Sequence, residues 1–337
     1  MANTVLGKQG LWSFSGPRNI SEVYGVINVG QQKKNKNVDW KHKAKKFITL
    51  ESESSWKLLF YPGRWILLLL TLVPTLYALY LSFFSYNLAK PTRREFVLLG
   101  NFLEVFKDKR FWSAFLVTTE FTVISLILEM ILGMFIAICM TKKILGKELV
   151  QVIIILPMIM TPVVVGLIWK MFYDTEFGLI SYYFNLLTGG TLNVLGSSES
   201  ALLGLILVDV WEWTPYVALI LLAGMQSLPM EPYEAVQVDG ASAWQTFRYL
   251  TLPLLKPSIS VAVMFRFMEL FKWMDTVYIM TGGGPGTSTE TLSYYAYRTN
   301  FKFLEVGYAA AMCLVMLVAV LVICNTIGKR VLLKGDE

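Results

Sequence analysis

The chain has 337 residues, 55% of them hydrophobic, with a mean hydropathy of +0.53. That is too apolar for an ordinary soluble domain and points to an all-α, polytopic membrane protein. The formal charge of +6 and pI near 9.0 follow membrane topology rather than one basic patch, so nucleic acid is not expected as a partner.

The first thirty residues lack the basic, apolar and small-residue pattern of a signal peptide. Lys33 to Lys46, KKNKNVDWKHKAKK, carries seven lysines and reads as a solvated cytoplasmic arm held near membrane lipid. Residues 1–60 are set apart as this arm, 61–330 as the transmembrane domain, and 331–337 as a cytoplasmic tail. The one histidine, His42, lies among the lysines, and Cys139, Cys313 and Cys324 fall in apolar runs without metal-like spacing. Neither a metal site nor a disulfide framework is expected.

Apolar runs follow near 65–86, 115–140, 150–172, 201–224, 259–281 and 307–328. Each is close to the roughly 20 residues that cross about 30 Å as a helix. With the amino terminus inside, Lys142, Lys143, Lys147, Arg248, Lys256, Lys329, Arg330 and Lys334 become cytoplasmic, as the positive-inside rule prefers. Both termini are then expected in the cytoplasm of a multi-pass plasma-membrane protein. The 87–114 loop, with Lys90, Arg93, Arg94, Lys107, Lys109 and Arg110, runs against this assignment.

Between the fourth and fifth runs lies a polar stretch within 228–256, EAVQVDGASAWQTFRYLTLP from Glu234 to Pro253. Acidic residues at its start suit a short helix over Glu231–Ala243. Gly240 reads as a bend. A second short helix, Ser242–Leu250, is expected to stop before Pro253, which disfavours helical geometry at Leu252. Two short helices at an angle make a knob that can fit a cleft in another protein.

Glu234-Ala235, then Gly240, then Leu250-x-Leu252-Pro253 after nine residues resembles the cytoplasmic loop of permease subunits of ATP-binding-cassette importers, with Val236 and Leu250 as mild departures. Further matches are Phe111-Trp112-Ser113, Leu156-Pro157 with Pro162, Trp211 with Pro215-Tyr216, Gln226-Ser227-Leu228-Pro229, and Thr281-Gly282-Gly283-Gly284-Pro285. Together they resemble the carbohydrate-uptake branch over roughly residues 60–330. The resemblance implies the type I importer permease fold and a second homologous permease subunit. It also implies two cytoplasmic ATP-binding subunits that carry ATP and Mg, an external solute-binding protein, and an oligosaccharide as cargo. It assigns Glu234, Ala235, Asp239, Gly240, Leu252 and Pro253 to coupling with the ATPase.

The chain has no G-x-x-x-x-G-K-[ST] phosphate loop; Gly282–Thr289 lacks the lysine and reads as a tight turn. No catalytic residue or cofactor of its own is therefore expected. On the fourth run Asp209, Glu212, Trp213 and Tyr216 stand at i, i+3, i+4 and i+7, and Arg266, Glu269, Leu270 and Trp273 repeat that spacing on the fifth. Polar groups in a span normally face a path or a partner helix, so these eight residues are candidates for the substrate path, with the aromatics alternatively serving as packing. The resemblance places them near the sugar-contacting positions of maltose-type permeases. Arg266 offers a fork for the carboxylate of a uronate-containing saccharide such as alginate. Pairing of Arg266, Glu269, Lys272 and Asp275 among themselves or with adjacent helices is the structural alternative. A different class, an ion-coupled secondary transporter, draws on the intramembrane charges Glu129, Asp209 and Arg266, but shows neither extra spans nor internal repeats.

Overall fold

The computed structural model describes residues 53–142 and 145–332, with side chains described for 60–142 and 145–326. The basic arm at Lys33–Lys46, His42, Lys143 and residues 333–337 lie outside the described residues. Contacts divide the chain into a unit over 1–74 and a larger unit over 75–337. In the first, the described part belongs to helix α1 (Glu53–Ser82) and is strongly apolar.

The larger unit begins with the last turns of α1. The 65–86 run does not stay helical to its end. A hairpin of β1 (Phe84–Tyr86) and β2 (Arg94–Phe96) pairs Phe84 with Phe96 and Tyr86 with Arg94. Its cross-strand aromatic pair and the Arg94 guanidinium 4.0 Å from the Tyr86 ring centre favour strand over another helical turn. Asn101, on α2 (Gly100–Lys107), donates to the Ser82 and Phe84 carbonyls and fixes the turn between helix and hairpin.

Asp108 caps the long helix α3 (Lys109–Thr141) by accepting from the Arg110 N–H at 2.8 Å. The 150–172 run is broken. α4 (Lys147–Ile159) and α5 (Pro162–Phe172) meet at 95°. Pro162 holds Thr161 in extended geometry and then starts α5. α6 (Leu179–Thr188) lies in the 174–200 connection.

α7 (Ala201–Gln226) is the span most enclosed by its neighbours. After the polar stretch, α11 (Lys256–Phe271) stops at Lys272, and a short α12 (Asp275–Met280) follows. The 259–281 run is therefore two helices. A loop containing Gly282–Thr289 leads to α13 (Leu292–Phe301) and the last span, α14 (Val306–Leu332). Thr289 closes that loop, its hydroxyl 2.8 Å from the Thr281 hydroxyl and donating to the Gly284 carbonyl at 2.7 Å. Among the described residues four helices are long and apolar enough to cross a membrane, or six if each bent pair counts as one span.

Three buried clusters stack along the bundle. Phe121 of α3 packs with Leu202 to Val210 of α7, while Ala137 and Met140 pack with Val217 to Leu222. α3 and α7 thus run parallel. α11 runs the other way, with Ala262 and its N-cap Leu255 in the second of these clusters and Leu270 in the first. A third cluster joins Phe111 and Ala114 to Ala311 and Met312 of α14. Close crossings need small residues. A Cβ on Gly133 would meet Val217 at 2.8 Å and the Ala218 nitrogen at 3.1 Å, and one on Gly224 would collide with Ser258.

At the hairpin end, buried Glu290 accepts from Arg110 at 2.7 and 2.9 Å and from Arg298 at 2.8 Å. Beside it, one Asp108 oxygen accepts from the Tyr295 and Tyr308 hydroxyls at 2.7 and 2.8 Å. Partial burial alone would push the Asp108 carboxyl up. Those phenols and the Arg110 and Phe111 backbone N–H groups outweigh it, so the carboxyl titrates below its ordinary value.

Candidate functional site: an exposed knob and a buried charge cluster

Two features of this bundle carry chemistry that packing alone does not require. The first is the polar stretch between α7 and α11. Pro232 sits in the first turn of α8 (Glu231–Val238), and Glu231 and Glu234 complement the helix dipole there. The helix ends at Asp239. Gly240 then takes φ +74°, its N–H bonding the Gln237 carbonyl while the Ala241 N–H reaches back to Val236. This is the two-bond helix stop that favours glycine.

Ser242 begins α9 (Ala243–Thr246) with a reciprocal cap: its N–H donates to Gln245 Oε1 and its hydroxyl accepts from the Gln245 N–H. The helix does not stop before Pro253. A π-turn over Phe247–Thr251 passes directly into α10 (Leu252–Leu254), with Leu252 at φ −63° and ψ −43°. The wider turn accommodates the residue that lacks an N–H, which the preference of residues before proline does not anticipate. The Tyr233 hydroxyl donates to Thr251 Oγ1 at 3.1 Å and ties α8 to that turn.

Glu234, Ala235, Asp239, Gly240 and Pro253 are exposed, and Leu252 is half-buried. An open cleft of about 400 Å³ runs between the two halves of the knob, with Asp239, Gly240, Gln245 and Tyr249 in its wall. Sequence reasoning missed the apolar side chains that the knob exposes: Val238 at 89%, Tyr249 at 78% and Trp244 at 69%. Large apolar side chains clustered on a polar protrusion mark a contact surface. Their signal was present in the sequence, but the helix phase that aims them outward depends on Gly240 and the π-turn.

The second feature lies inside the bundle. Arg266 of α11 is 1% exposed and donates through Nε and Nη2 to both oxygens of Glu129 on α3, at 2.6 and 2.5 Å. Its Nη2 also donates to Asp209 Oδ2 of α7 at 3.0 Å. A single guanidinium thus joins three spans. Its charge centre lies 5.1 Å from the Trp213 ring, which in turn meets Tyr216 edge to face at 6.1 Å. Glu212 is 1% exposed, and neither carboxylate oxygen has a hydrogen-bond partner.

The eight path candidates do not form two matching stripes. Asp209 and Glu212 are buried, and Trp213 and Tyr216 are partly so. Leu270 belongs to the apolar core, and Glu269 turns outward to pair with exposed Lys272 at 2.9 Å. Trp273 lies beyond the end of α11 and stacks on Phe121, centroids 4.1 Å apart. The i, i+3, i+4, i+7 spacing fails there because the helix stops at Phe271. Arg266 is occupied by two carboxylates of this chain, which is the pairing with adjacent helices that the sequence offered as the structural alternative. Glu129 is the member of this ion cluster that the path candidates left out; 137 positions separate it from Arg266.

Residues 129–331 match the family described as the binding-protein-dependent transport system inner membrane component. The chain belongs to this family. A probable ABC transporter permease protein of Sinorhizobium fredii is 39% identical over 263 residues, 78% of this chain and 85% of its own length. The trehalose/maltose transport system permease protein of Thermococcus litoralis is 34% identical over 228 residues, 68% of this chain and 77% of that protein. The fold is that of a crystallised bacterial ABC transporter involved in the import of alginate, with a TM-score of 0.71 at 20% identity, covering 86% of this chain and 97% of that one. As an inner membrane component of the family, the chain is an ABC importer permease, and the knob lies inside the matched region.

Proposed function

We propose that this chain is the membrane-spanning subunit of a saccharide importer and that its knob receives force from a separate ATPase. The observation that carries the reading is the knob itself: an exposed, rigidly capped pair of short helices between two spans, with a glycine joint and uncovered Trp244 and Tyr249. The trehalose/maltose assignment of the Thermococcus relative supports a sugar as cargo. The working assembly pairs this chain with a second homologous permease, two cytoplasmic subunits that bind ATP and Mg, and an external solute-binding protein. The knob and both termini face the cytoplasm.

ATP binding draws two ATPase subunits together and moves the docked knobs. α7 enters the knob and α11 leaves it, so the displacement passes into both spans and alternates access by rigid-body movement. Glu234 anchors the docked face, and Gly240 keeps the halves at a fixed angle. Because Arg266 is held by Glu129 and Asp209, the cargo favoured is an uncharged saccharide rather than a uronate. Its C–H faces pack on rings such as Trp213 and Tyr216.

The test is Glu234→Lys in the assembled transporter in proteoliposomes. Transport and its coupling to ATP hydrolysis are expected to fall at least tenfold, with insertion and assembly intact. Unchanged coupled uptake contradicts the anchor role. Uptake of neutral and uronate oligosaccharides by the same vesicles decides the cargo class, and preferential uronate uptake overturns the neutral assignment.

A further inference from the structure

The buried cluster holds three carboxylates and one guanidinium, and its unpartnered member is placed one helical turn from a partnered one. Asp209 and Glu212 are three residues apart on α7, so about 4.5 Å separates them along the axis. Arg266 stands at the Asp209 level, bonded there and to Glu129. Glu212 is as deeply buried, has Asp209, Arg266 and Asp275 as charged neighbours, and bonds to none of them. Asp209 Oδ1 is likewise without a partner. A buried carboxylate with no partner is costly in a membrane interior. That cost is offset if another state of the protein supplies the partner.

We infer that Glu212 is the second station of Arg266, and that the guanidinium exchanges Glu129 and Asp209 for Glu212 as access alternates. The exchange rests on the coupled-permease reading, because it needs α11 to move against both α3, which carries Glu129, and α7, which carries Asp209 and Glu212. α7 enters the knob through α8, before the Gly240 joint, and α11 leaves it through the π-turn and α10, so a load on the docked knob reaches the two spans by separate routes. Sliding α11 toward the knob by about one turn brings Arg266 level with Glu212, a displacement of the size by which packed elements ratchet. The Trp213 ring already lies beside the guanidinium and offers an electron-rich face as the charge passes. Glu212 is thus a positioning residue: it stabilises the alternate state and leaves the resting ion pairs unchanged.

The test uses the assembled transporter in lipid nanodiscs and proteoliposomes, with spin labels on the exposed positions Leu132 of α3 and Phe265 of α11. Glu212→Gln is expected to slow transport at least tenfold. It should also shrink the population whose label distance changes on ATP trapping and leave the melting temperature unchanged. Glu212→Asp restores a large part of both readouts. Wild-type transport in Glu212→Gln overturns the exchange. So does a lowered melting temperature that accounts for the loss, or a label distance that shifts normally on trapping. Glu234→Lys in the same preparation separates the two ideas. If it uncouples while Glu212→Gln behaves as wild type, only the exchange fails; if it leaves coupling intact, the anchor reading fails and the Glu212 comparison still decides the exchange.

Discussion

Arg266 shows how one residue can determine the register of three helices. Its fork satisfies both oxygens of Glu129 and one of Asp209, which fixes α11 against α3 and α7 with a specificity that apolar packing alone lacks. Arg266→Ala leaves those carboxylates buried without a cation and is expected to cost about 3–5 kcal/mol, measured as unfolding in detergent. Arg266→Lys recovers only part of this, because an ammonium cannot span both carboxylates with the fork geometry. Full stability in Arg266→Ala contradicts the role. Asp108 acts at the hairpin end. Its carboxyl is lower in the folded chain than in the unfolded one, so its stabilisation is complete above the unfolded value and is lost as pH falls through the folded one. Asp108→Asn should flatten the acid limb of the melting profile, and an unaltered limb removes Asp108 as its source.

At the scale of elements, the spans were legible because long apolar runs have no other economical reading, and the knob was legible from turn chemistry and spacing. The breaks were not. The 95° corner between α4 and α5 follows from Pro162, but proline equally permits a mild kink, and surrounding packing decides which. The π-turn reverses the expected stop before Pro253 for the same reason: a local preference yields when one wider turn lets the chain continue. The ion cluster was half legible, since each charge could be seen inside its run while pairing over 57 and 137 positions could not. Gly240 provides a direct test of the knob's joint. It sits at φ +74°, and a Cβ at this position would have nothing within 4 Å, so Gly240→Val costs only backbone strain, about 1–3 kcal/mol. The bundle should remain folded while ATP-coupled uptake falls, and wild-type coupling would show that the joint's angle is immaterial.

For the whole molecule, the proposed function is mechanical: the spans would hold the path, with a buried guanidinium setting their register, and the knob would deliver force generated elsewhere. On this reading the chain is not expected to concentrate cargo by itself. The most direct measurement compares uphill saccharide uptake into ATP-loaded proteoliposomes containing this chain alone with uptake by the chain assembled with its permease and ATPase partners and solute-binding protein. The account predicts accumulation only in the assembled case, abolished by Glu234→Lys. Uphill accumulation by the chain alone would contradict it.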